Sequence, residues 1–389
     1  MKIFKRVITI ILAIIVLALA AGMIFLNSLK TRAVPDYNTG VDLESLTRPV
    51  TVYRDSFGIP HIYAENEPDL YRTTGYVMAQ DRLWQMDLLR RVTTGRLSEV
   101  LDPGLVNADQ LFRALNFPEK SKLVLSETDP EILACIDAFT DGVNQFIDQN
   151  RKNLSFEFAL LGYEPEPWEP IHTANMIGYM SWDLASGWGP EMALFKMQQV
   201  LEDSLFRELL PNMKYQSTPV FPEFMTVEND LEIISIIDDA IGIVDNLGLQ
   251  VFEASNNWAV SGTRSETGIP LMANDMHLGL MAPGPWYQMH QVVEGKLNVT
   301  GVALPGSPYI IAGHNEDIAW GMTNVAVDDV DFYLETINPN DSNQYLLDGQ
   351  WRDMQVVEEE IMVKGKDDPE IRVNLFTHRG AVVSRFKGV

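Results

Sequence analysis

The chain lacks the sequence contexts that usually activate a serine hydroxyl. Hydrolysis by a serine needs a base to take its proton and donors to hold the developing oxyanion. A Gly-x-Ser-x-Gly elbow would expose a strained serine on a strand-to-helix turn, and the sequence has none. It has no His-Glu-x-x-His zinc motif. Its histidines (His61, His172, His277, His290, His314 and His378) are scattered without metal-ligand spacing. Cys135 is the only cysteine, which excludes an internal disulfide and a cysteine-based metal site. A small buried hydrophobe is its expected role. A serine at a chain N-terminus offers a more economical route. Its own α-amine has an unperturbed pKa of about 7.7–8.0, near the ideal for a general base at neutral pH. One residue then supplies nucleophile and base, once the peptide bond before it is broken. A Ser–His–carboxylate set that does not use the amine stays open as an alternative.

The elements that would position such groups follow from patterning. Residues 50–53 alternate like a strand, 55–58 have turn chemistry and 59–64 resume as a strand, which predicts a hairpin. Residues 70–101 switch to helical spacing, with Val77, Trp84 and Leu88 on one face and Gly95 marking a turn. Residues 129–158 read as another helix. Prolines at 165, 167 and 170 make 163–170 an extended connector. Residues 174–209 return to helix with a break around 187–190, and 213–254 are less regular. Beyond 255 the pattern changes to short strands at 257–260, 269–273, 297–302, 309–312, 317–321, 331–335, 358–363 and 371–376, divided by Gly, Pro and Asn turns. A mostly helical first half and a β-rich second half give an α+β class.

Composition bounds the partners. The formal net charge is −25, with 46% hydrophobic and 21% charged residues. That is a globular balance, and a surface so acidic repels nucleic-acid phosphates. The N-terminus is the exception. Lys2, Lys5 and Arg6 precede an uncharged apolar run over 7–26. About 20 apolar residues span a bilayer as a helix, and the positive end stays in the cytoplasm. Ala18-Leu19-Ala20 offers a signal-type cleavage site, but 21–26 stay apolar, so an uncleaved inner-membrane anchor over 1–29 is expected. The bulk of the chain is then periplasmic or otherwise extracytoplasmic.

Ala254-Ser255-Asn256-Asn257-Trp258-Ala259-Val260 resembles the start of the catalytic chain in the penicillin acylase family of N-terminal-nucleophile hydrolases. Other segments match that family in the same order. Arg54-Asp55-Ser56-Phe57-Gly58-Ile59-Pro60-His61-Ile62 resembles its opening hairpin, and Gly75-Tyr76-Val77-Met78-Ala79-Gln80-Asp81-Arg82-Leu83-Trp84-Gln85-Met86-Asp87 its first long helix. Gly95-Arg96-Leu97-Ser98-Glu99, Pro165-Glu166-Pro167-Trp168, Gly313-His314-Asn315, Ala319-Trp320-Gly321-Met322-Thr323 and Asp328-Asp329-Val330-Asp331 follow. The resemblance covers about 45–389. It implies an αββα sandwich, incomplete within this sequence, with a helical first chain over 30–229, a spacer over 230–254 and the start of the catalytic chain over 255–389.

The resemblance also assigns roles. The chain would cut itself between Ala254 and Ser255, giving a two-chain heterodimer with Ser255 as nucleophile. His277 falls where the family orients the serine, and the backbone N–H of Asn324 would enter the oxyanion hole. Glu191, Asp328, Asp331 and the Val330 carbonyl resemble the family's calcium ligands, hard oxygens suited to a structural Ca²⁺. Met180, Leu184 and Leu278 are candidates for an apolar acyl pocket by proximity to the matched motifs. The implied substrates are small N-acyl amides: penicillins, cephalosporins or N-acyl-homoserine lactones. Two departures stand out. Ala254 replaces the family's usual glycine, and the family draws a second oxyanion donor, an Asn side chain, from beyond the position matching Val389. An uncleaved, membrane-tethered binding protein on the same scaffold is the alternative.

Overall fold

The computed structural model describes residues 2–32, 34–185, 200–209, 254–277, 282–324 and 330–383, with isolated positions between 194 and 247. In chain order the helices are α1 (Lys2–Arg32), α2 (Glu67–Thr94), α3 (Val106–Leu115), α4 (Phe117–Glu127), α5 (Pro130–Asn150), α6 (Phe156–Leu161), α7 (Pro170–Leu184) and α8 (Asp203–Leu209). The strands are β1 (Thr51–Arg54), β2 (Pro60–Ala64), β3 (Ala254–Val260), β4 (Leu271–His277), β5 (Tyr287–Val293), β6 (Leu297–Ala303), β7 (Ala312–His314), β8 (Ala319–Trp320), β9 (Ile337–Asn338), β10 (Asp341–Leu347), β11 (Gln350–Asp353), β12 (Gln355–Ile361) and β13 (Glu370–Phe376). This mixture of helix and sheet is the expected α+β class. The chain divides into two compact units, and each takes residues from both sides of Ser255.

The first unit comprises Met1–Leu88, Asp129–Pro170 and Tyr287–Ile310. Here β1 and β2 form the expected hairpin, Thr51 opposite Tyr63. β2 runs parallel to β5, His61 beside His290, and β5 pairs antiparallel with β6. Alternation buries Ile62 and Ala64 on β2 and Tyr287, Met289, Gln291 and Val293 on β5, against Leu70, Met78, Phe139 and Val143 of α2 and α5. The two helices approach to backbone contact because Gly75 and Gly142 lack side chains. A Cβ on Gly75 would lie 2.1 Å from the Phe139 carbonyl oxygen, and one on Gly142 would lie 1.8 Å from that of Arg72. The α5 N-terminus is set by Asp129, which caps it by accepting from the Glu131 N–H, with Pro130 in the first turn.

Several matched motifs prove to be structural here. Asp81 Oδ2 receives both Arg54 Nη1 and the Tyr287 hydroxyl at 2.7 Å. Burial, then the Asp81 charge, pushes the Tyr287 phenol well up. In the proline-rich connector, Trp168 is buried and its backbone is clamped by Asn144, which accepts from the Trp168 N–H at 2.6 Å and donates to its carbonyl at 2.9 Å. The residues 129–158 are not one helix: α5 ends at Asn150 and α6 begins at Phe156. Within α1, Arg6–Ser28 is long and apolar enough to cross a membrane, and none of it is buried against the protein.

The second unit comprises Leu89–Thr128, Ile171–Trp286 and Ile311–Val389. Gly95, at φ +59°, ends α2. The loop after it closes on buried Asp109, which accepts from the Leu97 N–H and the Ser98 N–H, each at 2.7 Å. α3 packs on the antiparallel β12–β13 pair: Arg113 Nη1 donates to Glu359 Oε2 at 3.0 Å and to the Glu360 carbonyl at 2.9 Å. β9, β10 and β11 form a separate sheet, β7 and β8 a short hairpin, and β3 and β4 an antiparallel pair. Residues 331–335 are not the strand their alternation predicts; they join no ladder among the described residues.

Candidate active site

The site is built on the β3–β4 ribbon. Its turn is tightened by Ser261, which caps the short 3-10 turn Gly262–Arg264 by accepting from the Thr263 N–H. The register pairs Ala254 with His277, Ser255 with Met276 and Asn257 with Asn274. Directly opposed residues share a face and neighbours along a strand alternate. Ser255, Asn257, Asn274 and Met276 therefore occupy one face, and Asn256, Asp275 and His277 the other.

On the first face, the loop after β8 folds over Ser255. Ser255 Oγ and Thr323 Oγ1 are 2.9 Å apart. Thr323 Oγ1 also donates to the Ser255 carbonyl at 3.2 Å, and the Asn324 N–H donates to Ser255 Oγ at 3.3 Å. A hydroxyl has one proton, so with Thr323 donating to the carbonyl, Ser255 donates to Thr323. The expected backbone donor thus lies beside the expected nucleophile. The Asn324 side chain is engaged as well: its Nδ2 donates to the Leu184 carbonyl at 2.7 Å, tying the loop to the end of α7.

His277 lies on the opposite face. Its Nε2 meets Asp275 Oδ2 at 2.7 Å, two residues back on the same strand. The ring does not bond the serine hydroxyl, and its nearness to Ser255 is through the ladder, opposite Ala254. Leu184 and Met180 are half-buried on α7. Glu191, Asp328 and Leu278 lie outside the described residues. Of the expected calcium ligands, Val330 and Asp331 are described; Asp331 is exposed and accepts from the Tyr333 hydroxyl at 3.3 Å. Its carboxylate is a hard oxygen donor of the kind calcium takes. Among the described residues no three His, Cys, Asp or Glu side chains converge as a metal cluster.

Asn274 was not among the expected site residues, yet it touches both halves of the site. Its Nδ2 donates to the Asn256 carbonyl at 3.1 Å and to the Met322 carbonyl at 2.8 Å, and its Oδ1 accepts from the Met322 N–H at 2.8 Å. The sequence placed Asn274 just beyond the strand expected over 269–273; the structure carries that strand on to His277, so Asn274 sits inside a strand, where asparagine is depleted.

Residues 49–388 match the penicillin amidase family. Over 356 residues the chain is 30% identical to the acyl-homoserine lactone acylase QuiP of Pseudomonas aeruginosa, an alignment spanning 90% of this chain and 42% of that protein. It is 31% identical over 365 residues to the penicillin acylase 2 proenzyme of Pseudomonas sp. strain SE83, spanning 90% and 46%. A solved thermostable penicillin G acylase from Alcaligenes faecalis is 29% identical with a TM-score of 0.40, covering 48% of this chain and 100% of that chain. The chain spans under half the length of these curated relatives. A family match that runs from the first hairpin past the loop over Ser255 makes the chain a member of the penicillin amidase family.

Proposed function

We propose that this chain belongs to a self-cleaving amide hydrolase that deacylates small N-acyl substrates through Ser255. The observation that carries the reading is the convergence of the Asn324 N–H and the Thr323 hydroxyl on Ser255 Oγ, at the residue after the bond to be cut. In maturation, Ser255 Oγ attacks the Ala254 carbonyl carbon. The C–N bond breaks, the serine amide nitrogen takes a proton, and an ester remains. Water hydrolyses that ester and frees the Ser255 amine. In turnover, the amine takes the proton from Ser255 Oγ as it attacks a substrate amide. The Asn324 N–H donates to the developing oxyanion. The proton passes to the leaving amine, and water then releases the acid from the acyl-serine.

His277 acts in this reading on the amine side, through its ladder position opposite residue 254. The relatives' names point to two substrate classes, N-acyl-homoserine lactones and penicillins, and cephalosporins share the same amide. Met180, Leu184 and Leu278 are proposed for the acyl pocket. Glu191, Asp328, Asp331 and the Val330 carbonyl are proposed to hold a structural Ca²⁺, which takes no part in the chemistry. The αββα sandwich, the two-chain product and a periplasmic location tethered by α1 belong to the same proposal.

Full-length protein is expected to run as two chains under denaturing conditions, with a new N-terminus reading Ser-Asn-Asn-Trp. Ser255→Ala should remain a single chain and should not react with a serine-directed acylating probe. A Ser255→Ala chain that still splits at that bond would sink the self-cleavage reading. A wild-type chain that stays whole and unlabelled would favour a tethered binding protein instead.

A further inference from the structure

We infer that Asn274 is a positioning residue that sets the oxyanion donor against the nucleophile, an inference that rests on the hydrolase reading of Ser255. Donors for an oxyanion work only where they are already aimed, about 2.7–3.1 Å from the charge that develops. The donor here comes from 321–324, which lies beyond β8 and outside the strand ladders. Its alignment must come from side chains.

Asn274 supplies that alignment. Its amide oxygen accepts from the Met322 N–H, and its amide nitrogen donates to the Met322 carbonyl, both at 2.8 Å. The side chain thus pairs with the loop as a neighbouring strand's peptide would. The second amide hydrogen goes to the Asn256 carbonyl at 3.1 Å. Asn256 follows the nucleophile, and Met322 is two residues before the donor. One planar group therefore fixes the distance between the two reacting positions. The loop is shaped to receive it: a Cβ on Gly321 would lie 2.3 Å from the flexible end of Met272, 2.7 Å from Asn274 Oδ1 and 2.9 Å from Asn274 Cβ. The two Asn274 atoms lie closer than side chains tolerate, so Gly321 is what lets the loop reach the amide.

Chemically similar groups fail in distinct ways. Aspartate keeps the acceptor for the Met322 N–H but turns a second oxygen toward two carbonyls. Alanine removes all three bonds. Alanine at 321 leaves Asn274 intact and pushes the loop away from it.

The test uses the full-length protein carrying Asn274→Ala, Asn274→Asp or Gly321→Ala. Self-cleavage is followed by gel, and turnover of an N-acyl-homoserine lactone and of penicillin G is measured. Rates are expressed per serine titrated with an acylating probe, so a loss of folded molecules alone does not move kcat. We expect kcat per titrated serine to fall about 10- to 100-fold in each variant, the scale of a small misplacement at a reacting centre. KM on the better substrate should stay within about threefold, because the altered contact is to the donor loop. The acid limb of the pH–rate profile should keep its midpoint, because the amine is untouched. Variants that cleave and turn over within twofold of wild type per titrated serine would overturn the inference and leave the hydrolase reading standing. Should Asn274→Ala not fold, the other two variants carry the same comparison. A wild-type chain that neither splits nor titrates removes the hydrolase reading, and this inference with it.

Discussion

Ser255 Oγ is engaged by Thr323 Oγ1 at 2.9 Å and by the Asn324 N–H at 3.3 Å. In the uncut chain its own amine is still an amide and cannot act as base. In the proposed cleavage the Thr323 hydroxyl, which accepts the Ser255 hydrogen bond, would relay that proton toward the departing amide nitrogen and keep none of it. Thr323→Val, which keeps the shape and deletes the hydroxyl, should slow self-cleavage about tenfold or more while changing turnover of already cut protein much less; a time course of splitting beside kcat separates the two. Asn324→Ala keeps the backbone N–H and removes the tie to the Leu184 carbonyl. One hydrogen bond contributes about 0.5–1.5 kcal/mol, so kcat should stay within about tenfold of wild type. Ser255 and Asn324 could be proposed from the sequence because their neighbours along the chain resemble a known motif. The contacts of Asn274 could not, because its partners at 256 and 322 are brought together only by the ribbon and the loop. The face occupied by His277 was unreadable for a related reason: it depends on the β3–β4 register, which is set by pairing and not by local spacing.

Among elements, the α2–α5 crossing is the most sensitive. Gly142→Ala would drive a methyl into the Arg72 carbonyl, 1.8 Å away. Overpacking costs about 1–3 kcal/mol, and a backbone obstacle moves less easily than a side chain, so a loss at or above the top of that range is expected in denaturant unfolding. The start of α2 responds to acid. Burial raises the Asp69 carboxyl, but bonds from Thr47, Asn66 and the Arg48 N–H outweigh it and hold the group below its ordinary 3.8. Its stabilisation is therefore full above that value and is lost as pH falls through the lower folded value. Asp69→Asn should flatten the acid limb of stability below about pH 4 and weaken the fold at neutral pH. The hairpin β1–β2 and the helices α2 and α5 were legible because turn residues and an apolar face recur locally. The break at 151–155 was under-read, though Asn153 and Ser155 are there to suggest it. Residues 331–335 were over-read: alternation reports which side chains seek burial, and a strand also needs a partner to pair with.

For the whole molecule, charge and hydropathy act at opposite ends. The chain carries a formal net charge of −25, while α1 offers an apolar span that is not buried among the described residues. Full-length protein is expected to stay in the membrane fraction after carbonate extraction, and deletion of residues 2–32 should release it. The two units follow from folding and not from chain order, which is why neither could be drawn on the sequence. In the first, β2 lies beside β5, from the other side of Ser255. In the second, α3 is bonded to β12 across the same divide. A cut before Ser255 would therefore sever the chain without severing either unit, and the two pieces should elute together until denatured. This interleaving gives the molecule a history. The uncut chain can find its fold by itself, with every partner at the high local concentration of one polymer. The cut molecule, once unfolded, would have to rebuild both units by collision of separate chains, at a rate that depends on their concentration. If the chain is cut as proposed, folding would have to precede the cut, and the persistence of the two-chain protein would be set by how slowly it opens and not by how favourably it re-forms.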